Sequence, residues 1–333
     1  MNSETVKIPL LSIIIVNWNS GNVLIDCIAS IHATVKVPFE IIVVDNNSQD
    51  ASVSMVKKVF QGVSILEQKE NLGYSKGNNL GVKYSKGQYI LILNPDTILL
   101  DDAVGKMMCF LKKDEGIGIA GPKILKSDSS IAFNGKRKLP TLFWGARLVF
   151  SIEKILGFVR IKLLRSTFIK KILLAYYEKT EECESLQGCC IMLRRDMYEL
   201  LGGFDESVPM YLDDIDLFYR CRKRGFKNFY VSEAEIVHLE RYSTKTSESY
   251  KLYDVLCLKG LLFYYRKHLG RVAALLFRLI LLSSVPYLLL LDTLSLPYFL
   301  IRSRSNEVKW LLKKHLKFLE LAVTGDIVWN MQK

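Results

Sequence analysis

Three carboxylates stand within four positions at Asp213, Asp214 and Asp216 of this 333-residue chain. Acids this close repel one another, so a purely structural role needs cations nearby, and Arg220, Arg222, Lys223 and Arg224 follow. A helix beginning near Asp213 would use one or two of the acids at its positive N-terminal end but hardly all three, so at least one is expected to be functional. Two further clusters, Asn17-Trp18-Asn19-Ser20 and Asp45-Asn46-Asn47-Ser48, offer the amide and carboxylate groups that can hold a base and a ribose. Either cluster alone is equally compatible with turn chemistry followed by a helix cap. A run from Glu70 to Gly81 contains Gly73, Lys76, Gly77, Asn78 and Asn79. Its glycines let backbone approach backbone or ligand, and Lys76 can meet a diphosphate as a point charge. Finally, LILNPDTILL halts a hydrophobic run at Asn94-Pro95-Asp96. Pro95 has no N–H for a sheet ladder, and an acid just past a strand's C-terminal end lies where open α/β sheets bind ligands.

These residues need a scaffold, and the hydrophobic pattern supplies one. Strand-like runs occupy 10–16, 40–45, 63–67, 88–94 and 117–121, with helix-like stretches at about 21–33, 50–60, 75–86 and 101–112. Continuous β-branched runs alternating with amphipathic helices predict a parallel sheet covered on both faces. Asp50 and Asp101 are the expected N-caps of two of the helices. A short strand is expected in SLQGCCIMLRR from Ser185, and another at 229–239. The glycine run at 70–81 lacks the GxxxxGK[ST] spacing of a Walker A loop and no GxGxxG fingerprint follows the first strand, which argues against ATP and NAD. The seven cysteines include no CxxC pair or zinc spacing, so free thiols in a reducing compartment are expected.

The charge is unevenly placed. The chain carries a formal +12. Residues 136–179 hold eleven Lys/Arg against two acids, and 259–333 hold twelve against four. The remainder is mildly acidic, so the basic excess belongs to two added segments. Both interleave cations with long aliphatic and aromatic side chains, which favours a lipid surface over nucleic acid. Residues 279–301 are about long enough to span a bilayer, but cations flank both ends, so helices lying in the cytoplasmic leaflet are the favoured expectation. The expected organisation is a nucleotide-binding half at 1–135, a basic amphipathic helical insert at 136–180, an acceptor and catalytic half at 181–258, and a membrane-associating region at 259–333.

Taken in order, VNWNS, VVDNNSQD, NLGYSKGNN, LNPDT, GGFDE, the DDID run, RCRKRG and a late histidine resemble glycosyltransferase family 2, and within it the rhamnosyltransferase-type enzymes of cell-surface polysaccharide assembly. The resemblance spans residues 10 to about 245, apart from the basic insert. It implies a GT-A fold, that is, a Rossmann-like, mostly parallel sheet flanked by helices, here with a basic helical insert and a C-terminal apolar helical region. It also implies an inverting transfer of a sugar, such as rhamnose or another deoxyhexose, from a dTDP- or UDP-linked donor to a hydroxyl of a lipid-linked saccharide. By position, Asp45 resembles the acid that reads the base, bordered by Asn17, Asn19 and Asn47. Gly73, Lys76, Asn79 and Asn94 fall along the nucleotide-sugar site. Asp96 falls where the family's metal-binding motif ends, His238 matches a late histidine that approaches metal or diphosphate, Asp214 falls at the general base and Asp213 just before it.

That assignment is chemically coherent. A nucleoside diphosphate leaving group needs a divalent cation, Mg²⁺ or Mn²⁺, which prefers oxygen ligands. The attacking hydroxyl needs a carboxylate to take its proton. The metal motif usually has two acids, and here Asn94 replaces one of them, as in many rhamnosyltransferase-type members. The competing readings are a sugar-nucleotidyltransferase, whose Gly-rich basic loop after the first strand is lacking here, and a non-enzymatic basic protein of the membrane surface.

Overall fold

The computed structural model describes residues 8–150, 167–209, 211–239, 253–301 and 305–326. In chain order the elements are β1 (Leu11–Asn17), α1 (Asn22–Thr34), β2 (Phe39–Asp45), α2 (Ser52–Val59), β3 (Val63–Glu67), α3 (Gly73–Tyr84), β4 (Tyr89–Leu93), β5 (Thr97–Leu99), α4 (Ala103–Leu111), β6 (Ile117–Leu125) and β7 (Lys136–Arg137). They continue with α5 (Leu142–Val149), α6 (Thr167–Tyr177), β8 (Glu181–Cys183), β9 (Ser185–Leu186), β10 (Cys190–Arg194), α7 (Arg195–Leu201), α8 (Asp213–Lys223) and β11 (Lys227–His238). Then come α9 (Tyr253–Tyr264), a π-helical turn (Tyr265–Leu269), α10 (Arg271–Ile301) and α11 (Ser305–Thr324).

Two compact units result. The first comprises Met1–Leu139, Lys171–Ser207 and Asp213–Lys245; the second comprises Pro140–Lys170, Val208–Leu212 and Thr246–Lys333. The expected four-part division therefore gives way to two units, each assembled from three stretches of chain.

The first unit is built on a nine-stranded sheet of order β3-β2-β1-β4-β10-β6-β11-β5, with β8 also paired to β11. The run β3-β2-β1-β4 is parallel, β10 is antiparallel to both its neighbours, and β11 lies parallel to β6. The β-branched strands are continuous because both faces are covered. Ile13, Ile15, Ile41 and Val43 pack with α1 and α4, while Ile14, Ile42 and Val44 pack with α3, α7 and α8. The glycines of α3 permit that second layer: a Cβ on Gly81 would lie 2.4 Å from Ile14 Cγ2. Here the glycine run brings the backbone of α3 onto the side chains of β1 and β2.

Three sequence expectations are corrected. The cap of α4 is Asp102, whose carboxylate accepts the Gly105 N–H at 3.2 Å, while Asp101 adopts a positive φ of 43°. Asp50 does not cap α2, which starts after Ala51; it accepts N–H bonds from Ser52 at 3.1 Å and Gly21 at 2.8 Å, tying together the loops that follow β1 and β2. The beginning of the basic insert belongs to the sheet unit. Lys136 is buried, bonds the carbonyl of Tyr176, pairs with Glu181 at 2.8 Å, and sets its ammonium 3.7 Å from the Tyr176 ring centroid and 4.6 Å from that of Tyr230. A cation satisfied in this way is a core residue. Residues 151–166 of the expected insert lie outside the described residues.

The second unit is helical. The Tyr265 hydroxyl donates to the Thr141 carbonyl at 2.7 Å, and Gly145 of α5 sits so close that an added Cβ would lie 2.6 Å from that hydroxyl oxygen. Phe277 and Leu281 of α10 and Phe318 and Leu321 of α11 are buried in this unit.

Candidate active site

Parallel pairing of β1 with β2 sets Asn17 opposite Asp45 at the strands' C-terminal ends. Asn17 is fully buried, and its Nδ2 donates to Asp45 Oδ1 at 2.8 Å and lies 2.9 Å from Ser52 Oγ. Asp45 Oδ2 accepts the Ser48 N–H at 3.0 Å. A carboxylate has about four acceptor sites, so Asp45 retains capacity toward a ligand while Asn17 braces it from behind. Asn19 and Asn47 occupy left-handed turn positions, with φ of 51° and 60°. The amide oxygen of Asn19 accepts the Gln49 N–H at 2.7 Å, so for these two residues the turn chemistry left open by the sequence is realised.

Along the glycine run, Gly73 starts α3 with φ of 80°, and its carbonyl accepts from Asn46 Nδ2 at 3.1 Å. Lys76 stands exposed in the first turns of α3. Asn79 departs from expectation. Its amide nitrogen donates to the Phe204 carbonyl at 2.9 Å and to Glu206 at 3.0 Å, and its oxygen accepts from the Tyr198 hydroxyl at 2.6 Å and the Phe204 N–H at 2.9 Å. All four hydrogen-bonding capacities are used, so Asn79 fastens the Gly202–Glu206 loop and has nothing left for a nucleotide. Asn94 continues the sheet beyond β4, donating its N–H to the Cys189 carbonyl at 2.8 Å.

Asp96 and His238 are brought together by sheet register. β5 pairs antiparallel with β11, setting His238 opposite Thr97, so the imidazole Nε2 lies 3.2 Å from Asp96 Oδ1. Burial disfavours a charged ring, but the Cys189 sulfur and the Asp96 carboxylate outweigh it and hold His238 well above its ordinary value. Once the ring gives up its proton, Nε2 becomes a ligand, and the pair then suits a divalent cation. Adjacent ligands around an octahedral Mg²⁺ at about 2.1 Å are about 3 Å apart, the separation of these two atoms. Behind the ring, Gln187 Nε2 lies 3.3 Å from His238 Nδ1, and Gln187 Oε1 is buried without a partner. Turning that amide over would present the acceptor that a metal-ligating imidazole needs at its other nitrogen. Among the described residues no third His, Cys, Asp or Glu joins the pair, so the remaining ligands would be diphosphate oxygens and water.

The acidic run opens α8, and its three members separate by environment. Asp216 pairs with Arg220 at 2.7 Å, and Arg220 also bonds the carbonyls of Leu201 and Gly203, so this acid is structural. Asp214 accepts the Gly188 N–H at 2.9 Å and the Ile215 N–H at 2.8 Å, with Arg137 Nη1 at 3.8 Å. Burial raises its pKa, and these donors oppose the rise. Among the described residues Asp213 accepts the Asp214 N–H at 3.2 Å and makes a weak contact with Ser75 Oγ at 3.4 Å. Burial and the neighbouring Asp214 push it up to about 7. Asp214 is therefore the carboxylate that ionises first.

The sequence reading missed Gly188, Gln187, Arg137 and Tyr74. A Cβ on Gly188 would lie 2.6 Å from Asp214 Cβ, and the Gly188 carbonyl accepts from the Tyr74 hydroxyl at 2.9 Å. Consecutive residues Gln187 and Gly188 thus touch His238 and Asp214, so one short strip links the candidate metal pair to the candidate base. Arg137 is carried by β7, which pairs with β9 just before that strip. The glycine before Cys189-Cys190 and the place of Tyr74 within NLGYSKGNN were the available signals; nothing local marks Gln187 or Arg137.

A sheet with this site at its carboxyl edge defines a GT-A glycosyltransferase. Residues 12–202 match glycosyl transferase family 2, to which the chain belongs. It is 25% identical over 250 residues to the N-acetylglucosaminyl-diphospho-decaprenol L-rhamnosyltransferase of Mycobacterium tuberculosis, covering 71% of this chain and 78% of that protein. It is 23% identical over 248 residues to the low-salt glycan biosynthesis hexosyltransferase Agl10 of Haloferax volcanii, covering 73% and 72%. In fold it is similar to the mannosyltransferase PcManGT of Pyrobaculum calidifontis, solved with GDP-Man and Mn²⁺, at a TM-score of 0.53 and 15% identity over 95% of this chain and 86% of that one. It is also similar to GalNAc-T7, solved with UDP, GalNAc and Mn²⁺, at a TM-score of 0.52 and 15% identity over 78% of this chain and 51% of that one.

Proposed function

We propose that this glycosyltransferase moves a sugar, with inversion, from a nucleoside diphosphate donor to a hydroxyl of a lipid-linked saccharide at the cytoplasmic face of a membrane, in the assembly of a cell-surface polysaccharide. The observation that carries the reading is the Gln187–Gly188 strip, which sets an ionisable carboxylate and an oxygen/imidazole pair beside each other at the sheet's carboxyl edge. Asp214, held by the Gly188 N–H and by Arg137, takes the proton of the acceptor hydroxyl as that oxygen attacks the anomeric carbon. Asp213, which burial and the neighbouring Asp214 keep protonated below about pH 7, withholds a second negative charge from the same position there. The Asn17-braced Asp45 receives the donor's base, and exposed Lys76 faces the diphosphate. Asp96 and His238 would hold Mg²⁺ or Mn²⁺, which supplies charge stabilisation to the leaving diphosphate. A deoxyhexose such as rhamnose fits the likeness to the mycobacterial L-rhamnosyltransferase, and a dTDP or UDP carrier is the donor form that the family resemblance implies.

The test is sugar transfer from a panel of nucleotide sugars, with and without chelator, for the wild type and Asp214→Asn. Loss of the general base is expected to lower turnover about a thousandfold with donor affinity retained. Equal turnover of the two proteins would remove Asp214 from the mechanism, and transfer that withstands chelator would remove the metal.

A further inference from the structure

Along α10 the large apolar side chains divide into two stripes. Phe277, Leu281 and Leu288 are buried, whereas Val272, Leu279 and Leu290 on the opposite side are 72%, 51% and 58% exposed. The spacing is helical, so the exposed residues form one continuous apolar face. α11 also exposes an apolar stripe at Leu316, Leu319 and Val323. Its remaining surface carries Lys314 and a Lys317–Glu320 ion pair at 2.6 Å.

The two helices form an antiparallel hairpin. Arg278, early in α10, donates through Nε to the Ala322 carbonyl at 2.7 Å and also bonds that of Val323, at the end of α11. With only residues 302–304 joining the helices, α11 must run back along the later part of α10. This decides how the apolar face can be covered. The stretch Arg271–Leu290 is long and apolar enough to cross a bilayer. Crossing, however, would carry Lys314, Lys317 and Glu320 of α11 into hydrocarbon, where no water solvates them. Lying in the interface satisfies both kinds of surface, with apolar stripes toward the acyl chains and charges among the headgroups. Residues 259–333 carry twelve cations against four acids, which complements an anionic leaflet. A second copy of the chain would set that excess against itself.

We infer that α10 and α11 form a hairpin lying in the plane of an anionic leaflet without crossing it. This deepens the membrane part of the proposed function and rests on it. The test is Ser305→Cys, at the hairpin turn, expressed in bacterial cells and treated as intact spheroplasts with a membrane-impermeant maleimide. An in-plane hairpin keeps the turn on the cytoplasmic side, so labelling beyond the wild-type level is expected only after lysis, when the exposed native Cys109 also reacts. Labelling of the turn in intact spheroplasts overturns the inference while leaving membrane association standing. In parallel, Leu279→Glu and Leu316→Glu are each expected to weaken binding to phosphatidylglycerol vesicles about tenfold, with an unchanged Tm showing that the unit stays folded. Binding equal to the wild type overturns the assigned face. A wild type that transfers sugar in solution but has no affinity for vesicles would sink the hairpin and spare the glycosyltransferase.

Discussion

Asp213 and Asp214 are adjacent in sequence and alike in burial, yet their partners divide their roles. Asp214 has two N–H donors and a guanidinium; Asp213 has one N–H and a distant hydroxyl. The folded chain therefore holds a proton on Asp213 that the unfolded chain releases, because its pKa rises from 3.8 to about 7. Stability contributed by this group falls as pH rises through that window. Asp213→Asn is accordingly expected to raise Tm by several degrees at pH 8 and by a clearly smaller margin at pH 5, nearer the start of the window, as thermal melts at the two pH values would show. Because Asp213 is still protonated when Asp214 ionises, Asp213→Asn should leave the acid limb of kcat/KM near its wild-type position, whereas Arg137→Met, which removes a cation beside Asp214, should move it to higher pH. Gly188→Ala tests the same position sterically. Its Cβ meets the Asp214 carboxylate at 2.8 Å, so transfer is expected to fall more than tenfold at nearly native Tm. The acids themselves were legible because three carboxylates in a row demand an explanation. Gly188 and Arg137 were not, because their importance arises only when β7, β9 and α8 meet.

Strands β1 to β4 were legible to within a residue or two because a parallel sheet covered on both faces needs long apolar, largely β-branched runs such as 40–45, whereas β6 continues four residues past its expected end at 121 and the short β5, β7 and β8 carry no such run. The basic insert was misread at its start for a physical reason: composition reports that Lys136 is charged but not that Glu181 and the rings of Tyr176, Tyr177 and Tyr230 surround it. Lys136→Met should expose the difference. A lipid-facing lysine would be dispensable for folding, whereas this one leaves Glu181 without its cation, and a loss of about 3 kcal/mol is expected in denaturant unfolding. Asn79 makes the same point. The likeness to family members placed it at the donor, yet its amide joins α3 to the loop after α7 through four hydrogen bonds. Asn79→Ala is expected to lower stability by about 2–4 kcal/mol, leaving buried Phe204 backbone groups unpaired. Donor affinity, measured by calorimetry on the folded fraction, should change little.

At the scale of the chain, the sequence pointed to a catalytic fold with basic apolar additions but misjudged how they are assembled. The second unit is not a C-terminal appendage. Its contributors are Pro140–Lys170, Val208–Leu212 and Thr246–Lys333, so it is threaded through the chain at three places. Within it, α5 packs against the π-helical turn and α10: Gly145 is in contact with Tyr265 and Phe277, and Thr141 accepts the Tyr265 hydroxyl. Leu212 fits against Gly260 of α9, where an added Cβ would lie 2.9 Å from Leu212 Cδ2. Ending the chain after Lys245 would therefore remove the partners of two segments left behind. Val149 and Leu212, both buried in the full chain, would face water together with the rest of α5. Exposed apolar surface of that kind drives association. The truncated chain is thus expected to be recovered mainly as aggregates in size-exclusion chromatography, even with detergent omitted from both preparations and the full chain carried as the reference. A monodisperse truncated protein with native-like Tm would mean that α5 and Leu212 find equivalent packing without α9 and α10.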